Sequence, residues 1–249
     1  MRTHRMWAAA GALALSATVP VAAEDVTIVY ALTENGQPKG TATHYISSER
    51  FRTSQPDSDL IVEYGSGRFV SIDHKKKEYW ETTRDEMNAK LEEQQNQMQA
   101  HMPPALREKM GNLMGGIAAS VTATPGNGSR KIAGYDTKPY TVAMGEMMKQ
   151  ELWNADITLP TPAMDARNSL IALNNPMIKD AAKLVEEMKK VKGLPLSETT
   201  TVKILTKTVT TSREATEVKK GPIEASAFAL PTGYNKVESP LSKTVKQAK

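Results

Sequence analysis

The residues best suited to acid–base or metal chemistry are few in this chain. Its histidines are His4, His44, His74 and His101, and it contains no cysteine. No two histidines have the close spacing of a metal-binding helix face, and His74 lies in a lysine-rich stretch whose charge opposes metal binding. The lack of cysteine excludes disulfides, thiolate nucleophiles and cysteine metal sites. The sequence therefore predicts no metal centre and no cofactor.

Methionine is a second residue type whose spacing could carry chemistry. Met144, Met147 and Met148 lie close together in the sequence, and thioether sulfur favours Cu(I). Methionine also fills irregular apolar cores. We adopt the second interpretation, in which these side chains pack inward at a strand edge and turn.

No catalytic motif is recognisable in the chain. It has no Gly-x-Ser-x-Gly elbow, no Ser-x-x-Lys motif and no phosphate-binding Gly-Lys-Ser/Thr loop. Carboxylate pairs such as Asp57/Asp59 and Glu92/Glu93 are expected to be solvated. A Ser-His-Asp triad built from distant residues cannot be identified from a sequence. We therefore predict a non-enzymatic protein and keep an unrecognised hydrolase as an alternative.

Residues 1–23 have the pattern of a secretory signal peptide. The basic residues Arg2 and Arg5 precede an apolar stretch over Met6–Leu15, and small residues follow at Val21–Ala23. The stretch is shorter than the roughly 20 apolar residues that span a bilayer. We expect cleavage after Ala23, a periplasmic or secreted protein, and no transmembrane segment in the mature chain.

The overall charge gives no support for nucleic-acid binding. The chain has 32 Lys and Arg against 28 Asp and Glu, a formal net charge of +4, and these charges are mixed along it. Nucleic-acid binding needs a concentrated basic surface instead. The length after residue 23 predicts a single β-rich domain over residues 24–238, and the basic residues 239–249 are expected to be a disordered tail.

Short alternating segments separated by turn signals predict a sheet. Asn35-Gly36 is a strong two-residue hairpin signal. The predicted strands before residue 83 are Val26–Thr33, Thr41–Ser47, Arg50–Thr53, Leu60–Tyr64, Arg68–Asp73 and Glu78–Thr82. The later ones are Ile117–Thr124, Arg130–Ala133, Tyr140–Met144, Glu151–Ile157 and a long run over Leu196–Thr211 partnered by Arg213–Lys220.

Two helical insertions are predicted near residues 83–115 and 161–192. The first begins at a capping box formed by Thr83 and Glu86 and continues as a weakly amphipathic helix to about Ala100, followed by a Met-rich helix over residues 105–114. The second includes a helix over residues 161–173, which begins at Thr161-Pro162, and a helix over residues 177–192 with a clear apolar stripe, which we expect to pack on the sheet.

Several short phrases, taken in order, resemble a family of uncharacterised bacterial exported proteins. The phrases are Arg68–Trp80, Ala133–Asp136, Lys138–Val142, Glu151–Asp156, Gly193–Leu196 and Phe228–Tyr234. The layout is similar to the LolA-type periplasmic lipoprotein carriers. This resemblance implies an α+β fold in which one curved antiparallel sheet forms a half-barrel and helices cover its concave face.

The same resemblance implies a carrier for an apolar, lipid-like ligand. No ligand contact of those carriers can be matched to a residue of this chain. Aromatic residues of the predicted strands and methionines of the predicted helices supply the candidate ligand contacts instead, which are Tyr79, Trp80, Met110, Met114, Trp153 and Met188. For Trp80 and Trp153 the alternative is a role as core anchors. Tyr79 and Trp80 are neighbours in a strand and must face opposite sides of the sheet. An envelope protein that binds another protein, or a stress protein without a small ligand, is the main alternative.

Overall fold

The structure is a computed structural model that describes residues 24–106, 108–109, 116, 120–163, 186–204 and 206–240. The first strands are β1 (Val26–Glu34), β2 (Gln37–Ile46), β3 (Arg50–Ser54), β4 (Ser58–Glu63), β5 (Arg68–Asp73) and β6 (Glu78–Thr83). Helix α1 (Arg84–His101) follows. The remaining elements are β7 (Val121–Pro125), β8 (Arg130–Ile132), β9 (Tyr135–Met144), β10 (Met148–Ala155), β11 (Leu194–Ile204), β12 (Lys207–Lys220), a 3₁₀ helix (Ala225–Phe228) and β13 (Asn235–Lys236).

The thirteen strands form one sheet in the order β13-β6-β5-β4-β3-β2-β1-β12-β11-β10-β9-β7, with β8 paired to β9 beside that path. β13 runs parallel to β6, whereas the other strand pairs are antiparallel. β1 pairs with both β2 and β12. The first and second halves of the chain therefore meet in the middle of the sheet.

Local sequence signals set two of the element boundaries. Asn35 and Gly36 have positive φ angles of 49° and 77°, which a two-residue hairpin turn requires, and the predicted turn between β1 and β2 is confirmed. The predicted capping box at the start of α1 is also confirmed. The Glu86 N–H donates to the Thr83 hydroxyl at 3.2 Å, and the Thr83 N–H donates to the Glu86 carboxylate at 3.0 Å.

The main hydrophobic core lies on one side of the sheet, which we call the core face. Val26, Ile28 and Tyr30 of β1 point to this face and are at most 1% exposed, as alternation along a strand requires. Leu196 of β11 and apolar side chains from residues 155–163 pack on the same cluster. Each large apolar side chain buried in this way contributes about 1.5–3 kcal/mol to the stability of the fold. The middle of the sheet is therefore a stable scaffold for the polar groups beside it.

The opposite side, the strap face, carries a smaller core. Its buried residues are Ile61, Val70 and Ile72. Residues 221–240, which we call the C-terminal strap, cover this core with Leu230 and Tyr234. The strap ends by adding β13 to the edge of β6, where the Val237 N–H donates to the Tyr79 carbonyl at 2.8 Å. An apolar patch and part of a strand edge are thereby covered.

The predicted α+β half-barrel with helices over a concave face is wrong. The protein is mostly one large open sheet of mixed strand direction, and its described helices are few and short beside it. None of the described side chains of α1 is buried. The physical reason is that α1 is rich in Gln and Glu and lacks an apolar stripe that could cover the sheet.

The long run over Leu196–Thr211 is also not one strand. The chain reverses between Ile204 and Lys207, and the two halves pair as β11 and β12. No Gly, Pro, Asn or Asp stands between those two residues. The usual side chains that mark a turn are therefore missing from this hairpin, and the sequence pattern continues through it.

Several predicted segments lie wholly or mostly outside the described residues. They are the signal peptide over residues 1–23, much of the helices over 105–114, 161–173 and 177–192, and the end of the basic tail. Within the described ranges, no helix has both the length and the apolar character needed to cross a bilayer.

Candidate functional site

Strands in the middle of the sheet bring polar side chains together on the core face. Glu198 of β11 lies opposite Arg213 of β12, which lies opposite Leu32 of β1. His44 of β2 lies opposite Ile28 of β1. Because side chains alternate between the two faces, the register places these polar groups on the same face, and the long Arg213 side chain spans the distance to His44. We call His44, Gln150, Glu198 and Arg213 the central cluster.

Arg213 and Glu198 form the ion pair of the central cluster. Arg213 Nη2 donates to Glu198 Oε2, and the two side chains keep 30% and 20% of their surface exposed. Glu198 Oε1 accepts hydrogen bonds from Gln150 Nε2 at 2.7 Å and from the Thr200 hydroxyl at 3.4 Å. Both carboxylate oxygens are therefore engaged, which fixes the carboxylate in place.

His44 packs against Arg213 and two aromatic rings. Arg213 Nη1 lies 3.4 Å from His44 Nε2, and the rings of Tyr30 and Phe51 have their centroids 4.8 and 5.3 Å from the imidazole. A guanidinium only donates hydrogen bonds, so Nε2 accepts and the neutral ring carries its proton on Nδ1. Burial, followed by the charge of Arg213, lowers the pKa of His44 to about 3. His44 is therefore uncharged at neutral pH.

Two buried polar atoms near His44 lack a hydrogen-bond partner within the described part of the chain. They are Arg213 Nε and Thr53 Oγ1, and Thr53 lies opposite His44 in the β2–β3 register. An unpaired buried polar group costs about 1–3 kcal/mol. Both atoms are closed off from solvent, so a ligand oxygen reaches them only after the side chains around them shift.

A groove opens beside the central cluster. Its volume is about 630 Å³, within the roughly 300–1,000 Å³ range of small-molecule sites. Leu32, Thr200, Thr211 and Pro56 are among its lining residues. Its charged lining groups are paired inside the protein: Glu34 with Lys39 at 3.8 Å, Asp57 with Lys75 at 2.7 Å, and Glu198 with Arg213.

A second histidine cluster, the strap cluster, lies between the sheet and the C-terminal strap. Asp59 of β4 pairs with Arg52 of β3, and Asp59 Oδ1 lies 3.1 Å from His74 Nε2. His74 Nδ1 lies 2.9 Å from the Tyr234 hydroxyl of the strap. Arg52 also donates to the Ala227 carbonyl of the strap at 2.8 Å. The strap is thus tied to the sheet by a chain of polar contacts.

The burial of Asp59 corrects the expectation that Asp57 and Asp59 are both solvated. The Asp57 side chain is 63% exposed, but that of Asp59 is 0% exposed. Burial by itself raises the pKa of Asp59, but hydrogen bonds with His74, Ser54 and Arg52 outweigh burial and hold this pKa below its ordinary value. Three consecutive apolar residues follow Asp59, a pattern typical of a strand covered on both faces, and that signal could have revealed the burial.

The structure does not bring the predicted aromatic contacts into one site. Tyr79 packs on the strap-face core, whereas Trp80, the next residue of β6, lines a pocket at the sheet edge. Trp153 belongs to β10, on the far side of β1 from β6 in the sheet order. The Arg130 guanidinium sits over the Trp153 ring at 4.6 Å from its centroid.

The prediction that Met144, Met147 and Met148 all pack inward is wrong for Met147. Met148 and Met188 pack on the buried side chain of Met144, whereas Met147 is 46% exposed. Met110 and Met114 lie outside the described residues. The described part of the chain also holds no group of three or more His, Cys, Asp or Glu side chains that could bind a metal ion.

Comparisons with known proteins assign no family to the chain. No family model and no curated protein matches it. Similar solved structures include PNGF-II, at 14% identity and a TM-score of 0.41, with 87% of this chain and 31% of that one covered. MucB is 11% identical at a TM-score of 0.41, with 84% and 58% covered. An uncharacterized conserved protein of Thermus thermophilus is 8% identical at a TM-score of 0.44, with 88% and 92% covered.

The chain therefore spans about a third of the length of PNGF-II. At TM-scores below 0.5, these likenesses carry no argument about function. The resemblance to an exported family and to the LolA-type carriers remains a prediction from the sequence.

Proposed function

We propose that the protein is a non-enzymatic binding or carrier protein whose ligand occupies the groove beside the central cluster. The observation that carries this proposal is the pairing of the charged groups around a groove of about 630 Å³. The Glu198–Arg213 pair is partly buried, so a charged ligand that broke it would leave one charge uncompensated, which is unfavourable. The Glu34–Lys39 and Asp57–Lys75 pairs are solvent-exposed and add little to this cost. The proposed ligand is therefore a lipid-like molecule without net charge.

The lining of the groove supports an amphipathic ligand. Leu32, Pro56 and the methyl groups of Thr200 and Thr211 offer apolar contact. Arg213 lines the groove, and its buried Nε has no acceptor among the described residues, so a shift of this side chain would turn an unused donor towards the ligand. An ester, amide or hydroxyl oxygen accepts such a bond without carrying charge. A long-chain alcohol, ester or amide fits both requirements.

The surroundings of the histidines favour binding over hydrolysis. A general base works best when its pKa lies near the operating pH, and the pKa of His44 is lowered to about 3 by burial and by Arg213. Both ring nitrogens of His74 have partners, Asp59 and the Tyr234 hydroxyl. Neither imidazole is placed to take a proton from a nucleophile in the groove.

The proposed site of action is outside the cytoplasm, following the export signal predicted in residues 1–23. Direct recovery of the ligand tests the function in that compartment. The mature protein is purified from a cell-envelope extract without detergent, and an organic extract of it is analysed by mass spectrometry. We expect a neutral lipid in stoichiometric amount. If no apolar molecule is recovered and no probe binds in the assay below, the carrier proposal is wrong, and the alternative of a protein that binds another protein is favoured.

A pair of probes tests whether the groove prefers an uncharged ligand. A fluorescent fatty alcohol and the fatty acid of the same chain length and fluorophore are titrated into the delipidated protein. We expect the alcohol to bind at least several-fold more tightly, because the acid adds a carboxylate to a groove whose charges are already paired. Equal or tighter binding of the acid would contradict the proposal that the ligand is uncharged.

A matched pair of variants on β12 tests whether the ligand binds in the groove. Thr211 lines the groove and is exposed, while Thr208 is also exposed but lies on the opposite face of the same strand. Thr211→Phe fills part of the groove and should weaken alcohol binding about tenfold or more. Thr208→Phe makes the same change outside the groove and should leave binding unaltered. Equal effects of both variants would place the ligand elsewhere.

A further inference from the structure

We propose that a second site, at the β6 edge of the sheet, binds a saccharide ring that carries a free amino group. The site is a pocket of about 600 Å³ that Trp80 lines. It shares only Asp57 with the lining of the central groove. The proposal is therefore independent of the ligand proposed for that groove.

The strand register gathers polar groups beside the Trp80 indole. Ser71 of β5 lies directly opposite Trp80. In the next row, Ser58 of β4 lies opposite Asp73, and Asp73 lies opposite Glu78. Directly opposed Cβ atoms in antiparallel strands are about 4.5–5.5 Å apart. Two hydroxyls and two carboxylates therefore lie within reach of one ring-sized ligand on the indole.

The indole of Trp80 forms part of the pocket wall. Trp80 is half-buried, and no aromatic ring or guanidinium of the described residues covers it, in contrast to Trp153, which lies under Arg130. A saccharide ring has an apolar C–H face and a rim of hydroxyls. An indole in the wall of a pocket that hydroxyls and carboxylates also line complements both features.

The charges of the pocket favour an ammonium group. Its lysines are paired: Lys75 with Asp57 at 2.7 Å, and Lys76 with Asp73 at 3.6 Å. Glu78 and Glu238, its other two carboxylates, have no ion pair among the described residues. Two uncompensated carboxylates attract a cation and repel an anion. An amino sugar therefore fits this pocket better than a uronic acid or a sugar phosphate.

The C-terminal strap supplies the remaining wall and holds it in place. Val237, Glu238 and Pro240 line the pocket. The Val237 N–H donates a hydrogen bond to the Tyr79 carbonyl, and Lys236 Nζ donates one to Glu81 Oε2 at 2.7 Å. Glu238 is thus presented from a segment anchored to β6, which lets it act together with Glu78.

Calorimetric titration of the full chain with three tetrasaccharides tests the proposal. The probes are β-1,4-linked glucosamine, its N-acetylated form and a galacturonic acid oligomer, at a pH that keeps the amines protonated. We expect the glucosamine oligomer to bind most tightly, the N-acetylated form more weakly and the galacturonate not at all. No saturable binding of the glucosamine oligomer, or equal binding of the galacturonate, would overturn the proposal.

Three variants separate the contributions of ring and charge. Trp80→Leu should weaken binding of the glucosamine oligomer about tenfold, while Trp153→Leu should not change it. Glu78→Gln should weaken binding of the glucosamine oligomer several-fold and leave the N-acetylated form unaffected, a difference that misfolding would not produce. Unchanged affinity in Trp80→Leu, or an equal loss for both sugars in Glu78→Gln, would contradict the assignment.

The groove variant separates this site from the one proposed first. Thr211→Phe changes the central groove and should leave saccharide affinity within about twofold of the unaltered chain. A loss of sugar binding in this variant would mean that the ligand lies in the groove, and the Trp80 site would be wrong even if the carrier proposal held.

Discussion

The central cluster and the strap cluster are built from the same chemical groups but differ in what lies beside them. Each contains an arginine, a carboxylate and a histidine, and each histidine packs against a tyrosine ring. In the strap cluster, the strap adds the Tyr234 hydroxyl and the Ala227 carbonyl as partners. Arg52 Nε there has no hydrogen bond among the described residues, and Asp59 Oδ1 has the His74 ring beside it, at 3.1 Å. In the central cluster, Arg213 Nε and the Thr53 hydroxyl also stay unpaired within the described residues, but Arg213 lines a groove instead of lying under the strap.

This difference separates a structural role from a binding role. The strap cluster joins a distant segment of the chain to the sheet, so its loss should change stability. The central cluster joins neighbouring strands that already pair along their backbones, so its polar groups are not needed to hold those strands together. We therefore expect changes in the strap cluster to act on folding and changes at the groove to act mainly on ligand affinity.

The largest expected effect comes from Asp59→Asn. The change leaves the Arg52 guanidinium, which is 13% exposed, without a carboxylate partner, and it weakens the contact with His74. Removing one partner of a buried ion pair costs about 3–5 kcal/mol. Chemical denaturation at pH 7 should show a fall of that size in the free energy of unfolding.

A surface carboxylate provides the control for this change. Asp136 is 85% exposed and lies 3.9 Å from Lys131, so Asp136→Asn should alter the free energy of unfolding by less than about 0.5 kcal/mol. If Asp59→Asn were as mild as Asp136→Asn, the strap cluster would not be the structural contact that its geometry indicates.

The pH dependence of stability gives the next largest effect and tests the central cluster. The folded-state pKa of His44 is about 3, below its ordinary value of 6.5. As the pH falls below 6.5, the unfolded chain therefore takes up a proton that the folded chain refuses, and stability decreases. The contribution of His44 reaches at most about 1.4 kcal/mol per pH unit.

His44→Gln measures that contribution by difference. Unfolding free energies of the unaltered chain and the variant are compared between pH 8 and pH 4. Below about pH 5 the unfolded chain also begins to protonate Asp59, whose folded-state pKa is lowered, but this contribution is common to both chains and cancels in the difference. We expect a constant difference above pH 7 and a shallower acid slope in the variant below pH 6.5. Parallel slopes throughout would show that His44 protonates freely in the folded protein.

The sequence predicted the parts of the fold that local chemistry determines. Asn35-Gly36 and the Thr83–Glu86 capping box marked a turn and a helix start, and the strand over Arg68–Asp73 was predicted with its observed bounds. In each case, the residues that decide the structure are neighbours along the chain. Signals of this kind need no knowledge of distant packing.

The sequence did not predict the features of the fold that depend on contacts between distant segments. The hairpin between β11 and β12 depends on pairing with β1 and β10 on either side of it, because no turn residue marks it. The burial of Asp59 depends on the strap, which lies 160 or more residues further along the chain. The two histidine clusters likewise join strands and segments that no spacing rule connects, which is why neither was predicted.

The smallest expected effect comes from removing a single hydroxyl group of the strap cluster. Tyr234→Phe removes the hydroxyl that lies 2.9 Å from His74 Nδ1 and should lower the free energy of unfolding by about 1 kcal/mol. Tyr45→Phe is the matched control, because its hydroxyl has no hydrogen bond among the described residues, although its ring contacts Phe228 of the strap at 6.3 Å.

Limited proteolysis should then show faster cleavage within residues 221–240 in Tyr234→Phe than in Tyr45→Phe, because the first variant loosens the strap locally. Binding of the alcohol probe should be the same in both, since neither tyrosine lines the groove. If Tyr234→Phe changed probe binding without speeding cleavage of the strap, the two clusters would be coupled, and the separation of a structural region from a binding region would fail.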